Sequence, residues 1–271
     1  QGPPGSNDGW SRLGNAGTVP GTHFLGTTDG QAMEFRVNGA RAFQFLPTDD
    51  GPNVVGGYFG NIVSNGIVGA LIAGGGGSQG LNRVGANYAA VLGGIANTAS
   101  GLASVAMGGG VRATGPGSMA MGGFTLASGG YATVMGLYSE ATQNYTTALG
   151  YRAKAHHPGS LVWADGQEAD FTSTADNQFN VRAGGGVRFE TGGAGLMVDG
   201  RPLLAEPALG QPLELRAGNQ RLLRLDPPVD HPIFGPDLGS PNWLAGSPAN
   251  VISNGFVGAS ILGGGAVGGP N

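Results

Sequence analysis

The chain has 271 residues, of which 56 are glycine, 40% are apolar and only 11% are charged. So much glycine argues against a helical protein, since each interior glycine costs a helix about 1 kcal/mol, and so few charges argue against a charge-driven disordered chain. The net charge of −4, from 17 acids and 13 bases, points away from nucleic acid, and the absence of cysteine removes disulfide frameworks and thiolate chemistry.

In chain order, Gln1-Gly2-Pro3-Pro4-Gly5 reads as the tail of a Gly-X-Y register, in which only glycine fits at the axis of three wound chains. Residues 1–9 are therefore expected to be a collagen-like stub or linker. Residues 10–50 predict a β-hairpin connector, because apolar and polar residues alternate from Met33 to Phe45 around Asn38-Gly39, a hairpin turn signature. Residues 51–171 predict a parallel β-roll. Its longest apolar stretch, Ile67 to Ala73, is far short of the roughly 20 residues of a membrane span, so no membrane insertion is expected of this chain.

The roll is read from an internal period. Ser104-Val105-Ala106-Met107-Gly108 recurs as Ser118-Met119-Ala120-Met121-Gly122, then at Ala132 to Gly136, Thr146 to Gly150 and Ser160 to Ala164, each copy 14 residues after the last. An earlier copy, Ala89 to Gly93, sits 15 residues upstream. Alanine follows nine residues after each start, at Ala113, Ala127, Ala141, Ala155 and Ala169. The fourth position forms an apolar column of Leu92, Met107, Met121, Met135, Leu149 and Trp163, and the third is uniformly small. Residues two apart in a strand share a face, so this column is expected inside the roll or at a subunit contact. Two short strands and two turns fill each repeat, with glycine where the turn needs positive φ. A roll this thin buries few side chains, and an identical roll from a neighbouring chain is the natural cover for its remaining apolar face.

From Leu161 the pattern loses its glycine, and the chain is expected to leave the roll there, with Trp163 and Phe171 sealing the last rung and Asp165 and Asp170 accepting backbone N–H bonds. Residues 172–209 predict a glycine-rich β connector. Residues 210–230 predict a second hairpin connector, since Gly210 to Arg216 repeats Gly30 to Arg36 at an offset of 180. Residues 231–271 predict the start of a second roll, since Ser253 to Ala259 repeats Ser64 to Ala70. Opening at Gln1 with no signal peptide in view, the chain reads as one full module and the opening of the next, taken from a longer fibre.

Sites of chemistry are sparse. His156 and His157 lie in a repeat turn and lack further ligands at metal spacing. The acids Asp165, Glu168 and Asp170 cluster at the repeat break. They read first as caps of an exposed edge, with a bound metal ion as the weaker alternative. No rung carries two acids facing one way, as glycoside hydrolysis requires. No catalytic residue and no cofactor are expected, and the chain is read as a non-enzyme.

The pattern from Ser104 to Gly159 resembles the head of trimeric autotransporter adhesins, whose repeats run Ser-x-Ala-x-Gly followed by an alanine-centred second strand. The flanking segments, Leu161-Val162-Trp163-Ala164-Asp165 and Asn177 to Gly186 among them, are similar to tail-fibre-type proteins of phages and bacteria. These resemblances imply an all-β, left-handed parallel β-roll, flanked by small hairpin modules and assembled as a homotrimeric fibre at an extracellular, cell-surface or virion location. The function they imply is surface attachment, with a cell-surface or matrix receptor or glycan as partner. A tailspike-like glycan depolymerase is the competing reading. The Gly74–Gly80 and Gln143–Tyr145 turns and the Arg152–His157 loop are the candidate contact surfaces.

Overall fold

The structure is a computed structural model of the chain, describing residues 14–192, 196–199, 201–204, 213–217, 220–225, 243–245 and 260–261. The collagen-like segment over residues 1–9 and most of residues 231–271 lie outside the described residues. Two compact units are present, Gln1–Gly185 and Gly186–Asn271.

The first unit is a two-sheet solenoid. Its eleven-stranded sheet begins with an antiparallel hairpin, Met33–Val37 and Ala40–Leu46, which pairs antiparallel with Asn53–Gly56. From there every pairing is parallel: Leu71–Ile72, Ala90–Ile95, Val105–Gly109, Met119–Gly123, Thr133–Leu137, Thr147–Tyr151, Leu161–Ala164 and Phe179–Arg182. The second sheet has eight parallel strands of two or three residues, from Ile62–Val63 to Phe171–Thr172. The chain visits the two sheets alternately, so each circuit is one rung. All-β architecture with a 14-residue circuit follows directly from the repeat.

The strand register sorts each repeat position to one side. Val91, Ala106, Ala120, Val134, Ala148 and Val162 stack inward and are fully buried, facing Ala99, Ala113, Ala127, Ala141 and Ala155 of the second sheet. The interior is therefore two facing columns of small side chains, each methyl contributing only about 0.8 kcal/mol. Backbone ladders and the close approach of rungs carry the rest. A Cβ on Gly122 would lie 1.9 Å from the carbonyl oxygen of Gly136 in the next rung, and φ there is +114°. Glycine after the strand thus serves stacking as much as turning.

Three expectations are corrected. Leu92 does not sit in the column of Met107: the 15-residue spacing inserts a bulge, and Gly93 pairs with Met107 instead. Ala169 leaves the inner alanine column and is exposed, while Ser173 takes the buried place. The chain also does not leave the roll at residue 171. Eighteen residues separate Leu161 from its partner Phe179, and the surplus loops out over residues 165–170, so that Phe179 and Val181 rejoin the established columns.

Before the regular repeats, rungs are pinned by a device that the period does not reveal. Asn61, Asn82 and Asn97 are buried one above another inside a turn. Asn82 donates its side-chain N–H groups to the carbonyls of Gly74 and Gly94, and its Oδ1 accepts the backbone N–H of Asn97 at 3.0 Å.

In the second unit, Leu213–Ala217 pairs antiparallel with Gln220–Leu225 with a bulge between Leu215 and Arg216, matching the first hairpin's bulge between Phe35 and Arg36. Trp243–Ala245 then pairs antiparallel with that hairpin and parallel with Ser260–Ile261. This is the same four-strand opening as that of the first unit.

Candidate functional site

The two sheets present outer faces of opposite character. On the first sheet one column runs Ala90, Val105, Met119, Thr133, Thr147, Leu161, Phe179. Beside it runs Met107, Met121, Met135, Leu149, Trp163, Val181. Neither column holds a charge. Met107 is 40% exposed and Met135 43%, so of the two places expected for this column, the interior of the roll is excluded. Trp163 is likewise outward and does not seal the last rung. On the second sheet the outward column runs Arg83, Thr98, Arg112, Leu126, Glu140, Lys154, Thr172. Apart from Leu126, that column is polar or charged.

Along the corners between the sheets run two aromatic ladders. Tyr131 and Tyr145 stack with ring centroids 5.8 Å apart and planes 1° from parallel, and Phe124 stacks on Tyr138 at 5.4 Å. All four sit at positive φ, a conformation rare for bulky residues. Each ladder starts over a glycine: the Tyr131 ring covers Gly117 and the Phe124 ring covers Gly110, each within 3 Å of where a Cβ would stand. The Gln143–Tyr145 turn thus presents Tyr145, 69% exposed. In the Gly74–Gly80 turn, Gly77 and Gly80 bond each other through backbone groups, and Asn61 fills the space beside Gly76.

The Arg152–His157 loop is organised by a carboxylate that the sequence reading passed over. Glu140 accepts from Lys154 Nζ at 2.7 Å and lies 3.1 Å from His156 Nε2. Burial alone would raise the Glu140 pKa, but the bonds and charges of Lys154 and His156 outweigh it and hold the carboxyl below its ordinary value. Lys154 also donates to the Tyr138 carbonyl and is nearly buried. His157 turns the other way, to Ser173 Oγ at 2.9 Å. The two histidines do not converge.

At the last rung Asp165 accepts the backbone N–H of Gly184 at 2.6 Å, the Gln167 side chain at 3.0 Å and Arg182 Nε at 2.8 Å. These bonds, the Gly184 N–H foremost, hold its pKa at about 2. Arg182 also donates to the carbonyls of Ala169, Gln167 and Asp165, and its guanidinium lies 5.5 Å above the Phe171 ring. Phe171 and Arg182, rather than Trp163, close the rung. Asp170 reaches Arg152 at 3.4 Å, and Tyr151 donates to Glu168 at 3.5 Å. The three candidate ligand carboxylates therefore engage different donors, and among the described residues no group of three or more His, Asp or Glu is placed to hold a metal ion.

Arg182 was legible only as one polar residue in the alternation of Asn177 to Arg182. The asparagine ladder left no period to find, since Asn61, Asn82 and Asn97 are unevenly spaced.

No curated protein and no solved structure matches the chain. The YadA head domain repeat matches residues 99–125, 113–139 and 127–153. Those residues are the most regular rungs, in which the inner alanine column, the inter-rung glycines and the uncharged outer column all coincide. It is the regular part of the roll, residues 99–153, that is similar to the YadA head domain repeat.

Proposed function

We propose that this chain is an adhesive module of a homotrimeric fibre displayed at a cell surface, non-enzymatic, with the roll as a stiff support and the solvent-facing corners as the attachment surface. The observation that carries the reading is the division of the two outer faces. An uncharged face of Met107, Met135, Leu149 and Trp163 lies back to back with a face carrying Arg83, Arg112, Glu140 and Lys154. A lone thin roll has no use for this sorting. Three rolls placed around one axis would cover the first face and leave the second in water, as closed symmetric oligomers do. Three copies of each corner ladder would then face outward together, and weak contacts made by each would add through effective concentration.

The test is attachment by the assembled chain. Immobilised protein is offered panels of cell-surface glycans and matrix proteins, with reducing ends measured in parallel on each glycan. The reading predicts retention that weakens when Tyr131 and Tyr145 are replaced by serine, with no new reducing ends. Glycan cleavage by the folded protein would overturn it in favour of a depolymerase.

A further inference from the structure

We propose that the outer face of the Met33–Leu46 hairpin is a contact between copies of this chain, extending the roll's subunit interface beyond the head repeats. The inference rests on the trimer reading above. Residues directly opposite in an antiparallel pair share a face. Met33 is opposite Phe45, Phe35 is opposite Phe43, and Phe45 is opposite Val54. Val54 then pairs with Leu71, and Leu71 with Ala90, at the head of the uncharged column that ends at Phe179. One uncharged surface, apolar except at Thr133 and Thr147, therefore runs from the hairpin to the last rung.

The hairpin end of this surface is aromatic and open. Phe43 and Phe45 meet edge to face at 5.3 Å, and Phe35 and Phe45 at 6.4 Å. Phe35 is nevertheless 42% exposed and Phe45 37%. A cleft whose lining is mostly apolar, Leu25, Met33, Phe35 and Phe45 among it, with Thr27 and Gln31 as its polar members, runs beside them, a recess able to take a side chain from a neighbour. The hairpin's polar groups are bonded among themselves and to the roll. Glu34 accepts from Arg36 at 2.8 Å and from Gln44 at 3.1 Å, while Arg41 donates to Gln44 at 2.6 Å and to the carbonyls of Phe59 and Asn61. Polar and apolar residues are thus sorted, and the aromatic side is the one left without a partner.

The second hairpin supplies an independent observation. Its register, bulge included, places Leu213, Leu215, Leu223 and Leu225 at the positions of Met33, Phe35, Phe43 and Phe45. The residue types differ between the two hairpins, and all of them are apolar. The occupant we assign is the same surface of a second copy. The surface is continuous with the face that pairs the rolls, and its columns carry no charge that would select an acidic or basic partner.

Sedimentation equilibrium of the whole chain is run on the wild type and on Phe35→Asp/Phe45→Asp, with circular dichroism as a check on folding. Both positions are exposed in the single chain, so the variant is expected to fold. The predicted result is a wild-type trimer and a folded variant whose assembly weakens at least tenfold. A variant that assembles as tightly as the wild type overturns this proposal and leaves the trimer standing, whereas a folded wild-type monomer overturns both. Should the variant not fold, the cysteine-free chain allows a second measurement, with a short bismaleimide on Phe45→Cys and, as control, Arg112→Cys. Cross-linking between copies at the first and not the second supports the proposal; none at Phe45→Cys, or equal yields at the two, overturns it.

Discussion

Asn97 hangs beneath its neighbour Asn82, its backbone N–H donated to the Asn82 Oδ1 at 3.0 Å while its own Oδ1 accepts from Val111 at the same distance. Its side-chain N–H groups reach the carbonyls of Gly93 and Gly108 at 2.8 and 2.7 Å. One buried amide thereby ties together the irregular early rungs and the regular ones that follow. Replacing Asn97 by alanine would leave several buried backbone groups unpaired, at about 1–3 kcal/mol for each one that water cannot reach. The expected outcome is a loss of about 3 kcal/mol in urea unfolding, with Asn82→Ala behaving alike.

Close stacking makes two glycines in neighbouring strands, Gly122 of Met119–Gly123 and Gly109 of Val105–Gly109, respond differently. Gly122→Ala would place a methyl carbon 1.9 Å from the Gly136 oxygen, whereas a Cβ on Gly109 meets nothing within 4 Å. Gly122→Ala is expected to cost at least about 2 kcal/mol, toward the upper end for overpacking, and Gly109→Ala to leave the melting temperature nearly unchanged.

The roll was legible in the sequence where its circuit is constant. From Val105 to Ala164 one period gives both strands, the inner alanines and the outer methionines, because parallel stacking in register turns a repeat position into a spatial column. It failed where circuit length changes. Leu71 to Ala90 takes 19 residues and Leu161 to Phe179 takes 18, so Ile72 and Phe179 fall out of the period although they stand in its columns. The side-chain bonds of Glu140 and Asp165 were illegible for a different reason: both depend on residues brought near by stacking, Lys154 one rung away and Arg182 beyond the looped turn.

Asp165 gives the last rung a pH signature. Its carboxyl titrates at about 2 in the folded chain against an ordinary 3.8. A carboxyl lowered by folding contributes stability that is fully present above the unfolded-state value and is lost as pH falls through the folded one. Asp165→Asn is expected to lower the melting temperature at pH 7 and to flatten the decline of stability between pH about 4 and about 2. Equal slopes for the two proteins across that window would show that Asp165 does not hold the rung.

The pair on the second sheet is predicted to be asymmetric. Lys154 is shielded, with 10% of its side chain exposed, while Glu140 is 35% exposed. Glu140→Ala strands a nearly buried ammonium, whereas Lys154→Met removes the buried charge and returns the carboxylate to water and to His156. Thermal unfolding should show Glu140→Ala as the more destabilising by about 1.5–3 kcal/mol.

The uncharged outer face of the first sheet is where copies of the chain are expected to meet. Sedimentation equilibrium of the whole chain at micromolar concentration, beside Met107→Asp/Met135→Asp, tests it most directly. The expected result is a trimer for the wild type and a folded monomer for the variant, since an unpaired charge at a buried contact is costly. A wild-type protein that is folded and monomeric, or a variant that assembles as tightly as the wild type, would contradict it.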